Sequence, residues 1–581
     1  MNRIGNSFLL SLFALGTLSA QENEQEPIGT QEVLVVKSYT PSLSDAFKIK
    51  SVPKLSESLT SLEKKLVYEL KKVPVISTFE PNKASPLRLQ QRKSSTPYNT
   101  FFSGGFGNMS QLYFNVSSVI EMDRTQRFGI NFYRDGFGTD LANSLLKSSQ
   151  NYSRFGLHHN LRNSYYNANS LLQFETSNTN YFGLYDRDWD PLILNSTNPE
   201  SRRNYFKIRT HWNWYDDVLR GITFQADLTS DNFNSTEQQL GLQTDFEVDF
   251  GGGKLKSELH LQGFHTAFET SYFERTLEEY TQGKGTLNLF WQHSRNDVKL
   301  KIGAGAAYLF GVENSSSSLL YYPHLEVVYR KTGNVLSPYL RAEGGVQFNT
   351  YKSLTLTNPY LAPTTLLTPT FNRYNASLGI RSQLASVLNF DLGFIYDQVE
   401  NFNIFERLPF DKDHENQAYR LSNAYASRYV DTDLYGFKAS LRIDLAKDNF
   451  VRFETRYRVF ETNGNQELWN VPALEMNWES QFQWKDCLAF SLSGNLWGDR
   501  KAAFRPVFIN QDLNSAQTPL PENIPLFIST TAHLTYKLTD QFDAFAKVKM
   551  NSQETHGRWA YYPEPQLLLL GGIVYKFDFQ Y

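Results

Sequence analysis

The chain has a single cysteine, Cys487, so it can close no disulfide within itself and can build no cysteine-rich metal site. Cys487 falls at the start of an expected strand, where it reads as a small packing residue. Past the first twenty residues there is no run of about 18 apolar side chains, which excludes a membrane-spanning helix. Neither sign of charge dominates: 57 Lys and Arg stand against 60 Asp and Glu, a net charge of -3. Such a balance offers nothing to nucleic acid. No Gly-x-Ser-x-Gly motif marks a nucleophile, and His158, His159 and His260 have no partners at metal-ligand spacing. Neither an enzyme nor a bound cofactor is expected.

What the chain has in quantity is aromatic. Its 33 Tyr, 44 Phe and 9 Trp make up 15% of the residues. With low overall hydropathy, this suits a barrel whose apolar residues form a lipid-facing band between aromatic girdles. A large soluble β-sandwich or propeller shares that composition, so the pattern must decide. Leu240, Leu242, Phe246, Val248 and Phe250 alternate with Gln243, Asp245, Glu247 and Asp249. Val298, Leu300 and Ile302 alternate with Lys299 and Lys301, and Val451, Phe453, Tyr457 and Val459 with Arg452, Glu454, Arg456 and Arg458. Ionic rows facing a dry core would be costly. Facing a hydrated lumen they can pair or stay solvated.

From Thr100 onward this alternation predicts an all-β, transmembrane antiparallel barrel of about 22 strands. Short turns are expected at 122–124, 162–164, 215–218, 251–253, 294–297, 331–334, 385–387, 446–448, 485–486 and 539–540, with every second connection longer. The barrel should occupy 99–581, with chain ends and short turns periplasmic and the long connections outside. At the end of the chain Ile573, Tyr575, Phe577, Phe579 and Tyr581 alternate with Gly572, Val574, Lys576, Asp578 and Gln580. Gly572, Tyr575, Phe577, Phe579 and Tyr581 resemble the C-terminal recognition strand that bacterial outer-membrane barrels present to their assembly machinery. That resemblance implies the machinery and outer-membrane lipids as partners.

At the other end, Arg3, an apolar run over 8–15 and the small residues Gly16, Thr17, Ser19 and Ala20 read as a secretory signal over 1–20. Residues 21–98 then form a separate segment, broken by Pro41, Pro53, Pro74 and Pro81. A barrel of about 22 strands encloses a lumen its wall side chains cannot fill, so this segment is expected in the periplasm or threaded into the lumen. Three runs carry a resemblance: Val35-Val-Lys-Ser-Tyr-Thr-Pro-Ser-Leu-Ser-Asp-Ala-Phe-Lys-Ile49, Val73-Pro-Val-Ile-Ser-Thr-Phe-Glu-Pro81 and Gly104-Gly-Phe-Gly-Asn108. They resemble a group of outer-membrane proteins, from one phylum of Gram-negative bacteria, that is classed with TonB-dependent receptors. Glu32, Val33, Leu34, Val35 and Val36 resemble the short box by which such receptors engage TonB, although an ordinary edge-pairing strand has the same make-up. The resemblance implies a receptor or transporter with TonB and a surface lipoprotein as partners. The 21–98 segment is too short for the family's globular plug, which leaves energised transport open.

Asp186, Asp188 and Asp190 alternate as in some calcium loops, but without the glycine and final glutamate of an EF-hand. A polar surface loop is the plainer reading. Asp411 to Glu415 reads as a solvated, charged loop tip. Long connections near 135–152, 177–201, 349–370, 401–430, 499–526 and 552–565 are rich in Asn, Asp, Pro and Tyr, and suit either recognition or closure over the lumen. Ligand capture or uptake is the expected function. The alternative is a non-transporting barrel that serves as an envelope scaffold or an assembly or secretion accessory.

Overall fold

A strand placed in lipid must pair every backbone N–H and C=O, and only a closed sheet leaves no edge. The chain meets that demand with a closed antiparallel sheet of 22 strands. The computed structural model describes residues 98–579 apart from 143, 186–188, 216–217, 273–277, 313–317, 332–334, 385–386, 412–415, 506–517 and 553–554. The expected signal, almost all of the 21–98 segment with its Glu32–Val36 box, and Tyr581 lie outside the described residues. Each strand bonds its sequence neighbours, and the first, Thr100–Gly107, pairs with both Gln111–Glu121 and the last, Leu567–Phe577. A separate hairpin, Arg500–Phe504 with Leu520–Ile524, stands between barrel strands Leu488–Trp497 and Phe527–Lys537.

The alternation does what it predicts. Leu240, Phe250, Leu378 and Phe437 turn outward and are 59–64% exposed, a band that lipid would cover. Near the short-turn end this outer face carries aromatics: Trp212 stacks on Trp214 at 6.3 Å beside Tyr166, and Trp291 donates to the Phe250 carbonyl at 3.0 Å. Inward, the charged rows pair across strands. Glu326 accepts from Arg341 at 2.8 Å and Lys299 at 3.2 Å; Glu247 meets Lys254, Lys256 and Arg220. Arg381 reaches Asp391 at 2.8 Å, and the Tyr339 hydroxyl donates to the same carboxylate at 2.6 Å.

All ten expected short turns separate strands. Between Phe250 and Gly253 the chain reverses through Gly251 and Gly252, both at positive φ (58° and 73°), the backbone a two-residue hairpin requires. Three expectations need correction. Connections at the other end are not uniformly long: Asn108–Ser110 and 232–235 are tight. In the latter the Asp231 carboxylate accepts the Phe233 and Ser235 N–H groups while Asn234 takes a φ of 64°, so a side chain closes the turn. The 401–430 stretch is strand at both ends, with a bulge at Asn401 (φ 55°), pairing resumed from Phe402 to Arg407 and the next strand beginning at Tyr425, so the connection is confined to 408–424. Cys487 packs nothing; it is exposed in the turn before Leu488, and its carbonyl accepts from Lys537 N at 2.7 Å.

The closing seam shows why glycines sit in both end strands. Gly105 and Gly572 are partners, and the Phe545 ring lies over them. A Cβ on Gly572 would stand 2.3 Å from the Gly104 carbonyl and 2.5 Å from that ring. Beyond the ladder, the Asn99 side chain brackets Phe579, donating to its carbonyl at 2.8 Å and accepting its N–H at 2.7 Å. Gly572→Val should therefore destabilise closure by about 1–3 kcal/mol or more. The expected readout is loss of the fast-migrating, unboiled form on SDS gels at lower temperature than for the unaltered protein.

Candidate functional site

Long connections emerge at the end of the barrel opposite Asn99 and Phe579, and many of their described residues are buried. They fold together over the mouth. Tyr181, Phe182, Tyr351, Leu361, Leu367, Tyr419, Leu421, Tyr425 and Tyr562, drawn chiefly from the 181–199, 348–369, 408–424 and 552–566 connections, are 0–3% exposed and form one apolar cluster. Tyr360 and Tyr562 stack with centroids 3.4 Å apart, and the Phe182 ring meets Tyr562 edge-on at 5.0 Å. Burial raises the Tyr360 and Tyr562 hydroxyls well above their ordinary pKa, so both stay protonated. Gly183 is the contact that admits this packing, since a Cβ there would lie 2.5 Å from the Tyr562 ring.

Loops leave carbonyls without ladder partners, and buried carbonyls need donors. Arginine supplies them. Arg203, wholly buried on the wall strand Glu200–Trp214, donates to the Pro359 and Leu361 carbonyls at 2.6 and 2.9 Å and to the Tyr181 hydroxyl at 3.1 Å. Arg407 reaches the Gly183 carbonyl at 2.6 Å and that of Ser422. Arg420 reaches the Ser271 carbonyl at 2.8 Å. Tyrosines and an amide add cross-links: Tyr562 to the Asn423 carbonyl at 2.6 Å, Tyr272 to that of Pro409 at 2.6 Å, and Asn423 to that of Tyr181 at 2.9 Å.

Acidic wall residues hold the other large contact. A short helix, Tyr351–Thr357, has its first N–H groups bound by Glu237, which accepts from Tyr351 N at 2.6 Å and Lys352 N at 3.0 Å. Negative charge at a helix start is favourable. Tyr351 also donates to Asp231 at 2.6 Å, and Lys352 to Asp227 at 2.6 Å. Beneath the cap a recess of about 290 Å³ remains in the lumen, lined by Tyr133, Tyr152, Asn178, Asp135 and Lys547 among others.

The sequence candidates fare unequally. Asp186 and Asp188 lie outside the described residues, while Asp190 is the N-cap of the helix Pro191–Ser196, accepting from Leu192 N at 2.9 Å. Among the described residues no group of three His, Cys, Asp or Glu gathers as metal ligands do. Asp411 is no solvated tip; it lies 3.7 Å from Arg420. His158 and His159 take opposite faces of the wall, His158 against Asn131 and His159 stacked on Phe128 at 4.4 Å. Of the end-strand residues, Gly572, Tyr575 and Phe577 are in the closing strand, with Tyr575 stacked on Phe542 at 4.6 Å, and Phe579 follows it. Arg203, Arg407, Gly183 and the acidic trio of Asp227, Asp231 and Glu237 were not singled out from sequence. A faint signal existed in Pro-bracketed aromatic stretches such as Pro359-Tyr-Leu-Ala-Pro363, too apolar for loops that stay in water.

Two outcomes are expected. Gly183→Val should force Tyr562 away and destabilise the closed cap by about 1–3 kcal/mol, seen as larger or more frequent conductance events in planar bilayers. Acid should act through His556, whose Nδ1 accepts Tyr561 N–H at 3.0 Å and whose pKa burial lowers to about 4, with Arg407 and Arg500 adding repulsion. Its ordinary value is 6.5, so the opened cap takes the proton first. The contribution to cap stability is intact above that value, declines as pH falls and levels off below about 4. Protease protection of the 552–566 connection should weaken between pH 7 and about pH 4.5, and His556→Gln should flatten the difference.

No protein-family model and no curated protein sequence matches the chain. Solved structures do. The FrpB iron transporter from Neisseria meningitidis superposes with a TM-score of 0.60 at 9% identity, covering 83% of this chain and 82% of that one. The siderophore receptor PirA from Acinetobacter baumannii gives 0.58 at 11% identity, covering 82% and 80%. A mutant of the ferric enterobactin receptor PfeA from Pseudomonas aeruginosa gives 0.56 at 12% identity, also over 82% and 80%. At such identity the likeness is one of architecture: this chain has the closed 22-stranded barrel fold to which those transporter and receptor structures are similar.

Proposed function

We propose that the protein is an outer-membrane receptor or transporter of a Gram-negative bacterium that captures a solute at the capped mouth and passes it through the lumen. The observation that carries this reading is the pairing of a charged lumen with a mouth over which described loop residues pack into one apolar cluster. A wide barrel left open would leak, and loops on a rigid barrel are well placed to recognise and admit a ligand. The iron and siderophore traffic of the similar structures supports the class of function. In this reading residues 1–20 are a cleaved signal and 21–98 a periplasmic or lumenal segment. Glu32–Val36 engages TonB, a surface lipoprotein assists capture, and Gly572, Tyr575, Phe577, Phe579 and Tyr581 address the barrel-assembly machinery.

The density of the cap favours one alternative, a permanently blocked barrel acting as an envelope scaffold or an assembly or secretion accessory. Purification of the tagged protein from native outer membranes in mild detergent separates the two. TonB or a near-stoichiometric surface lipoprotein is expected to co-purify; assembly or secretion components alone would replace the transporter with the scaffold. Deleting Glu32–Val36 should abolish uptake while the amount of folded barrel in the membrane stays unchanged.

A further inference from the structure

A buried guanidinium with no direct carboxylate partner occurs where the 463–473 and 552–566 connections meet the strand Arg500–Phe504. Arg500 is 5% exposed. Its guanidinium donates to the Gly557 and Arg558 carbonyls at 2.6 and 2.8 Å, and distantly to that of Gly498 at 3.4 Å. No carboxylate pairs with it among the described residues. Burial lowers its pKa to about 10, with Arg558 pushing the same way and Tyr425 and Asp499 opposing, so it remains a cation at neutral pH. Stripping water from a guanidinium costs several kcal/mol per ion, and neutral carbonyls return only part of that.

Beside Arg500 lies a cavity of about 170 Å³. Arg558 hangs over its aromatic wall, the guanidinium carbon 5.1 Å from the Trp497 ring centre and 5.6 Å from that of Trp559. Arg558 is exposed and makes no direct ion pair among the described residues, although Glu475 and Glu564 act on its charge. A third cation, Arg458, is matched by Glu475 at 2.7 Å. Within the lining three guanidinium groups face one carboxylate, with Asp499 acting on Arg500 and Glu564 on Arg558 from outside it. Trp469 completes a set of three flat apolar walls. Arg458 Nε, Asn403 Nδ2 and Asn470 Oδ1 are buried at the same cavity without hydrogen-bond partners. The two idle donors, Arg458 Nε and Asn403 Nδ2, are costly in an empty site and an anion would satisfy both, whereas Asn470 Oδ1 is an acceptor that an anion does not serve.

We infer that this cavity is a binding subsite for a small planar organic anion, its carboxylate held by Arg500 and Arg558 and its ring laid against Trp497 and Trp559. Arginine's planar fork matches a carboxylate's two oxygens, and tryptophan takes a flat apolar body with little loss of freedom. The subsite stands independently of transport, since binding is measured on the purified barrel whether or not it moves a solute.

The test is titration of the full-length protein in detergent with benzoate, benzyl alcohol and sulfate, followed by calorimetry and tryptophan fluorescence. Benzoate should bind saturably and quench, with benzyl alcohol and sulfate each at least about tenfold weaker. Arg558→Gln should weaken benzoate by about tenfold or more without altering the unboiled gel mobility. Trp497→Leu should weaken benzoate and leave the response to sulfate unchanged, which provides a second variant should the first disturb the cap. Equal binding of benzoate and benzyl alcohol, or benzoate binding untouched in both variants, overturns the inference. Sulfate binding as tightly as benzoate overturns it as well, because the tryptophan walls would then contribute nothing.

Discussion

In hydrocarbon a backbone N–H or C=O that misses its partner has no water to fall back on, and this single constraint organises the molecule. The seam between Thr100–Gly107 and Leu567–Phe577 joins strands at opposite ends of the barrel sequence, so no local hairpin can supply its pairing. Facing glycines at 105 and 572 let Phe545 lie flat across the join, and Asn99 fastens the end of the ladder to Phe579. Closure then gives the wall two unlike surfaces. Every second side chain meets lipid and must be apolar, and the others meet a wet interior where Glu326, Arg341, Lys299 and their like pair across strands.

Closure also creates a lumen too wide for wall side chains to fill, and the loops answer with a second core. Their backbone is irregular, so carbonyls that would be ladder acceptors in a strand have no partners once buried. Arg203, Arg407, Arg420 and Arg500 cover this deficit, each a long donor reaching the carbonyls of a distant segment. The guanidinium suits the work because it is planar, multiply donating and less strongly hydrated than an ammonium. Glu237, Asp231 and Asp227 do the converse at the start of the helix Tyr351–Thr357, offering carboxylates to donors. Polar groups thus set which loop lies where, and the stacked Tyr360 and Tyr562 exclude water from the result.

Much of the barrel was legible because its signals are local. Alternation at Leu240–Phe250 is complete within one strand, and the turn at Gly251-Gly252 is written in the two residues that make it. Errors arose where a residue's role depends on something distant or on a single register position. Cys487 lies one residue before pairing begins, and so falls in a turn rather than a strand. Asp190 alternates with two other aspartates as a calcium ligand might, yet its side chain is taken by the N-terminus of the helix beside it. Every second connection was expected to be longer, yet at 232–235 an Asp231 carboxylate closes one in four residues.

The cap was legible only as composition. Asn, Pro and Tyr in the long connections suit loops that recognise ligands and loops that seal a pore alike, since nothing local states which rings will meet. Tyr360 and Tyr562 are two hundred residues apart, and their stacking depends on a bare Cα at Gly183, in a third loop. The sequence by itself determined the barrel, its strand count, its short turns and the two faces of its wall, because a period of two and a turn's dihedral preferences are properties of neighbouring residues. Only the tertiary structure decided that described loop residues pack together over the mouth and that arginines bind them. Both depend on contacts between segments that the sheet, once closed, brings to the same end.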